Sequence, residues 1–191
     1  MMRKEVMMLK VPPYRQVDDF DCGFGISISV LLYYGKDVEY QEIGEFLGTS
    51  ESGTPFPRII DLMNLPKYGL DCRKKRMRIG EIKKWIRRGN PIILPLQAWS
   101  ENPVTSYKKS WENGHYVAAI GFDDNNKKIL FRDPSSDSIT YVSYKELKDR
   151  WHDVGNDGEV YKNHGIVVRD RKGSFSLYDE NFNPDTAVHM N

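Results

Sequence analysis

Cys22 stands at the head of a long apolar run, Cys-Gly-Phe-Gly-Ile-Ser-Ile-Ser-Val-Leu-Leu-Tyr-Tyr, which closes on Gly35. If that run is a helix, the positive end of its backbone dipole meets the Cys22 sulfur. Such a position favours the thiolate, the nucleophilic form of cysteine. Gln16 lies six positions earlier. Its amide could sit beside the Cys22 backbone N–H, and two donors there would cradle the oxyanion of a tetrahedral intermediate. His115 follows Gly114 and opens an apolar stretch, which fixes an imidazole at the rim of a sheet, where a general base is needed. Asp133 comes 18 residues later, at the end of the strand expected to pair with the His115 strand. It could hold the ring in one orientation. Each residue alone has a plainer reading: Cys22 as a small core hydrophobe, His115 as a half-exposed strand residue, Asp133 as a turn residue before Pro134. In this combination and order they have the makings of a Cys/His/Asp acyl-transfer site.

The elements that must position these residues can be traced along the chain. Met1 to Arg15 reads as a lead-in strand and an extended segment, with Pro12-Pro13 holding it open. A buried helix starts at Cys22. Two more are expected over Tyr40 to Leu47 and about Pro57 to Tyr68, the last disturbed by Pro66. Leu70 to Met77 is a short strand, and Ile79 to Arg88 an amphipathic helix closed by Gly89-Asn90. The second half changes character. Pro91 to Ala98 is a buried strand, followed by a polar, aromatic loop from Trp99 to Asn113. His115 to Phe122 and Lys128 to Arg132 form a hairpin around a turn at Asp123 to Lys127. Ile139 to Val142 is a strand, Tyr144 to Trp151 a helix and His164 to Arg169 a last strand. The expectation is an α+β fold, a helical N-terminal half packed on a C-terminal antiparallel sheet, in one domain over residues 1–170. Residues 171–191 read as a loose polar tail.

Composition narrows the function. The chain has 191 residues, 39% hydrophobic and 29% charged, which is a globular and not a disordered balance. Lys and Arg number 28 against 27 Asp and Glu, a net charge of +1. No global field draws the chain to nucleic acid or to a membrane, and neither is expected as a partner. No apolar run reaches the ~18–20 residues of a membrane span, and the N-terminus lacks the apolar core of a secretory signal. A cytoplasmic location is therefore expected. Cys22 and Cys72 are too few for a disulfide framework, and a reducing compartment or a reactive thiol fits better than a single bridge. Without a CxxC pair no structural zinc cluster is expected, and no metal or cofactor is called for.

The segment from Gln16 to Asp21-Cys22-Gly23, with the apolar helix ending Tyr-Tyr-Gly, resembles the bacteriocin-processing, double-glycine leader peptidase domains and their stand-alone relatives. Gly114-His115-Tyr116-Val117, Gly121-Phe122-Asp123, Asp133-Pro134-Ser135 and the stretch from Tyr144 to Trp151 are similar to the second half of the same pattern. The resemblance spans about residues 10–169. It implies a papain-like cysteine peptidase fold, with Cys22 as nucleophile, His115 as base, Asp133 as orienter and Gln16 as oxyanion donor, acting on a peptide or protein substrate. Transporter-linked members carry membrane helices and an ATPase after the peptidase domain. This chain stops before such a part, so the stand-alone group is the better match.

Two alternatives stay open: an inactive peptide-binding module of the same fold, and an acyl transferase of transpeptidase or transglutaminase type. Asp18, Asp19 and Asp21 flank the nucleophile, either lining a groove that attracts a basic substrate segment or solvating a loop, with Asp21 capping the helix. Cys72 reads as structural, and the basic run Arg73 to Arg78 as a solvated strand edge. His164 lacks an Asp-Pro partner, and His152 and His189 read as surface residues. Trp99, Tyr107 and Trp111 either line a substrate groove or pack a lid. The sharpest structural expectation is that Asp133, and not Asp123 or Asp124 in the hairpin turn, reaches the His115 ring. A slip of one residue in the hairpin would turn it away.

Overall fold

The run after Cys22 is apolar on every side, so a helix made from it must be surrounded. In a computed structural model, which describes residues 6–99, 107–173 and 175–190, it forms α1 (Cys22–Tyr33). Ile26, Ile28, Val30 and Leu31 are fully buried, each contributing about 1.5–3 kcal/mol by leaving water. α1 packs on the strand that carries His115 and on α3 (Phe56–Met63), with α2 (Tyr40–Leu47) alongside. The third helix ends at Met63, and Pro66–Tyr68 forms a separate 3₁₀ turn.

The strands form one large sheet. β1 (Val6–Met8), β2 (Leu70–Arg76), β3 (Ile92–Gln97) and β4 (Gly114–Asp123) come first in the chain. β5 (Lys128–Arg132), β6 (Ile139–Ser143), β9 (His164–Asp170) and β10 (Val188–His189) follow. The order is β10-β6-β5-β4-β3-β9-β2, with β1 also on β4. α4 (Ile79–Ile86) packs on β3 and β4, and α5 (Tyr144–Arg150) on β5 and β6. β7 (His152–Val154) and β8 (Val160–Lys162) form a separate hairpin, which sequence patterning did not reveal. The architecture is α+β as expected. The sheet is antiparallel except where β10 joins β6 in parallel. β2 lies at an edge, where its run of basic residues is solvated.

β4 is the central strand, and its pairing with β5 is not uniform. Gly121 to Asp123 pair in one register and Ala118 to Ala119 in another, because Ile120 is an extra residue in β4. The backbone N–H of Leu9 donates to the Ile120 carbonyl at 2.8 Å. β1 crosses so closely here that a side chain at Gly121 would meet the Met7 carbonyl, 2.6 Å from where its Cβ would sit.

The expected loose tail is instead a strap. Residues 177–179 run along the outer side of β1, with Lys10 N–H donating to the Leu177 carbonyl and Asp179 N–H to that of Met8. Phe175 packs its ring against Tyr33 and Tyr34, and Met190 is buried. The sequence in this stretch is polar overall, and a few spaced apolar residues suffice to dock it. Arg150 helps to hold its end. That side chain is fully buried, stacks over Tyr107, and donates to the carbonyls of Gln97, Ala98 and Met190 and to the Glu146 carboxylate. Arg150→Ala strands these acceptors and is expected to lower the unfolding free energy by about 3–5 kcal/mol, read from denaturant melts.

Candidate active site

Cys22 occupies the first position of α1, where its backbone N–H has no helical partner. The residue is buried, and it borders an open cleft. Its thiol is close enough to the His115 ring to act on that ring's proton affinity. His115 sits at the second residue of β4 and is 1% exposed. Its Nε2 meets Asp133 Oδ1 at 2.8 Å, which leaves Nδ1 as the nitrogen for the sulfur.

The bulge explains why Asp133 reaches the ring. Continuing the register of Ala118 with Arg132 sets Asp133 opposite Val117, one pleat from His115 on the same face of the sheet. Asp133 Oδ1 also accepts from the Ser135 N–H and hydroxyl, at 2.9 and 2.7 Å, and Thr140 Oγ1 lies 3.5 Å from Oδ2. Ser135 was legible as the third residue of an Asp-Pro-Ser turn; Thr140 arrives from β6 and carried no local signal. Asp123 takes the turn amides of Asn125 and Asn126, and Asp124 pairs with Lys83 and Tyr144.

Gln16 is placed less simply. Its backbone N–H donates to the Pro134 carbonyl, which ties the extended segment to the residue after Asp133. Its side-chain Nε2 donates to the Asp18 carbonyl at 2.9 Å, and Oε1 is buried without a partner among the described residues. One Nε2 hydrogen remains free of that bond. Trp99 lies over the His115 ring with centroids 5.1 Å apart, and Trp111 borders the cleft. Tyr107 packs on Arg150. The loop between Trp99 and Tyr107 lies outside the described residues.

Three expectations need correction. Asp21 precedes α1 but makes no side-chain capping bond, and of the acidic flank only Asp19 borders the cleft. The cleft's other carboxylates, Glu51, Glu112 and Asp153, come from distant segments. His152 is buried, with Nε2 on the Ser110 carbonyl at 2.7 Å and its ring on Trp111, because the β7–β8 hairpin folds it inward. Cys72 is a buried free thiol, pushed up in pKa by its burial. His164 lies apart from this cluster, in β9 beside Lys74 and Arg76.

The electrostatics follow from burial and pairing. Burial alone would keep the His115 ring neutral, but its hydrogen bonds to Asp133 and Cys22 offset this and raise it to about 10. Burial likewise works against the Asp133 charge. The His115 bond and the Ser135 donors offset it and hold the carboxyl below the usual range. Such an array can take a proton from the thiol and keep the resulting imidazolium.

A model described as the Peptidase C39-like family matches residues 8–159, and the chain belongs to that family. A putative C39-like peptidase from Bacillus anthracis shares the fold at a TM-score of 0.65 and 17% identity, over 86% of this chain and 98% of that one. A double-glycine-motif protease from an AMS/PCAT transporter, solved with its leader peptide, matches at 0.58 and 20%, over 90% and 92%. The peptidase domain of Streptococcus ComA, a bifunctional ABC transporter, matches at 0.58 and 19%, over 83% and 96%. No curated protein matches the chain. The α+β architecture is the papain-like peptidase fold of these neighbours. Among the described residues no helix is long and apolar enough to cross a membrane.

The signs of the two shifts set a pH dependence. A raised His115 value stabilises the fold fully below about 6.5, and that contribution is lost as pH rises through about 10. A lowered Asp133 value contributes above about 3.8 and is lost as pH falls through its folded value. The pair is therefore strongest between these limits. Urea melts at pH 6 and pH 9.5 are expected to show the stability advantage of the wild type over Asp133→Asn shrinking at the higher pH.

Proposed function

We propose that this chain is a cysteine peptidase with Cys22 as nucleophile, His115 as general base and acid, Asp133 as orienter and Gln16 as oxyanion donor. The observation that carries the reading is the continuous line from the Cys22 thiol through the His115 ring to Asp133, at the wall of an open cleft. His115 Nδ1 takes the thiol proton, and the sulfur attacks the peptide carbonyl carbon. The oxyanion is met by the Cys22 N–H and the free Nε2 hydrogen of Gln16. On collapse the C–N bond breaks, His115 returns its proton to the leaving amine, and a thioester remains. Water, deprotonated by His115, releases the acid. An amine replacing that water would make the same site an acyl transferase. The leader peptide bound by one neighbour supports a peptide as the substrate.

A second reading, a peptide-binding module without turnover, draws on the Gln16 amide, whose Nε2 is already engaged by Asp18. A peptide-library cleavage screen separates the two. Cleavage is expected with the wild type and none with Cys22→Ala. Gln16→Ala is expected to lower kcat by about 10²–10³-fold, with a loss for Asp133→Ala smaller than for Cys22→Ala. Repeating the assay with added amine distinguishes transfer from hydrolysis. Binding of library peptides without any cut product would favour the module.

A further inference from the structure

The cleft beside Cys22 has a volume of 280 Å³ and is lined by Asp19, Glu51, Glu112 and Asp153, with no Lys or Arg lining it among the described residues. That is a local excess of negative charge in a chain of net charge +1. Asp153 is the most constrained of the four. Its Oδ1 accepts from Gln97 Nε2 at 3.1 Å and from the Val154 N–H at 2.9 Å. Gln97 is itself fully buried and also donates to the His152 carbonyl. The carboxylate rests on the backbone of Gly114, the residue before His115; a Cβ there would lie 2.4 Å from Asp153 Oδ2. Oδ2 makes no hydrogen bond among the described residues. Burial pushes Asp153 up to about 6, despite the Val154 and Gln97 bonds. A carboxylate held in this state is stabilised by any cation brought to it.

A second feature of the same cleft also lacks a partner. Tyr116 lines it, is only 8% exposed, and its hydroxyl makes no hydrogen bond among the described residues. The hydroxyl lies within electrostatic range of Asp153 and Cys22. The phenol oxygen can therefore accept a hydrogen bond from a donor that enters the cleft. Asp153 and Tyr116 thus present two acceptors to the same cleft, where a Lys or Arg side chain offers donors.

We propose that Asp153 and Tyr116 form a subsite for a cationic side chain, lysine or arginine, of the peptide whose backbone lies against Cys22. The inference rests on the peptidase reading for its substrate, but its test does not depend on turnover. The cavity has room for one side chain, being at the lower bound of the ~300–1,000 Å³ typical of small-molecule pockets. Glu51, Glu112 and Asp19 add a negative rim that steers the cation inward, an effect screened over ~8 Å at physiological salt.

The test is calorimetric binding of matched peptides, differing only by Lys or Gln at one position, to the full chain carrying Cys22→Ala. The position is scanned along the peptide. At one position the Lys peptide is expected to bind about tenfold tighter. Asp153→Asn is expected to bring that ratio near unity with the thermal midpoint unchanged, and Tyr116→Phe, which removes only the hydroxyl, to reduce it several-fold. Glu51→Gln is expected to leave most of it. Equal affinities for the Lys and Gln peptides at every position would overturn the subsite, as would a preference that persists in both Asp153→Asn and Tyr116→Phe. Lys-selective binding without cleavage by the wild type would keep the subsite and remove the peptidase reading.

Discussion

Whether His115 and Asp133 can touch depends on one extra residue in the middle of β4. If the register of Gly121 to Asp123 ran on without the bulge at Ile120, Asp133 would fall opposite Ala118 and point to the other face of the sheet. With the bulge it falls on the His115 face, at hydrogen-bond distance from the ring. A bulge frees ladder groups that must find other partners. Here the Ile120 carbonyl is taken by the Leu9 amide. β1 can lie there because Gly121 has no side chain, and β1 is in turn held on its outer side by residues 177–179. β1 and residues 177–179 thus both bear on the bulge at the centre of the sheet.

The two halves of the site are each held by something outside it. α1 is sunk in apolar side chains on every side, so its first residue, Cys22, has little freedom to move away from β4. Arg150 fixes the carbonyls at the end of β3, just before Trp99 covers the His115 ring and beside Gln97, which holds Asp153. His115 and Asp133 oppose burial with mutual pairing, helped by Cys22 on one side and the Ser135 donors on the other.

Much of this was legible in the sequence because it is local. The apolar run with its closing glycine specified α1, and two alternating stretches around Asp123 to Lys127 specified the hairpin. The proximity of Cys22, His115 and Asp133 followed from placing those elements together. What was not legible came from contacts distant along the chain. Counting residues across a hairpin presumes an even register, and the one local hint of a bulge in Ala118 to Phe122 is Gly121, an isolated glycine in a strand. The last residues read as a tail because their apolar members, Phe175, Leu177, Tyr178 and Met190, are scattered among polar ones. His152 and Asp153 look like surface residues until the β7–β8 hairpin turns them toward Gln97 and the cleft. Of the acidic flank visible next to Cys22, only Asp19 borders that cleft.

The central claim is that the His115 ring makes the Cys22 thiol a nucleophile. It is tested most directly by the rate at which Cys22 is alkylated by iodoacetamide at pH 7, with the labelled residue identified by peptide mapping. The account predicts that Cys22 reacts at least about tenfold faster than a free model thiol, whose ordinary pKa near 8.5 leaves only a few per cent as thiolate. Buried Cys72 should stay unlabelled, and His115→Ala should return Cys22 to the model rate or below. A wild-type Cys22 that reacts no faster than the model thiol, or a rate unchanged by His115→Ala, would contradict it.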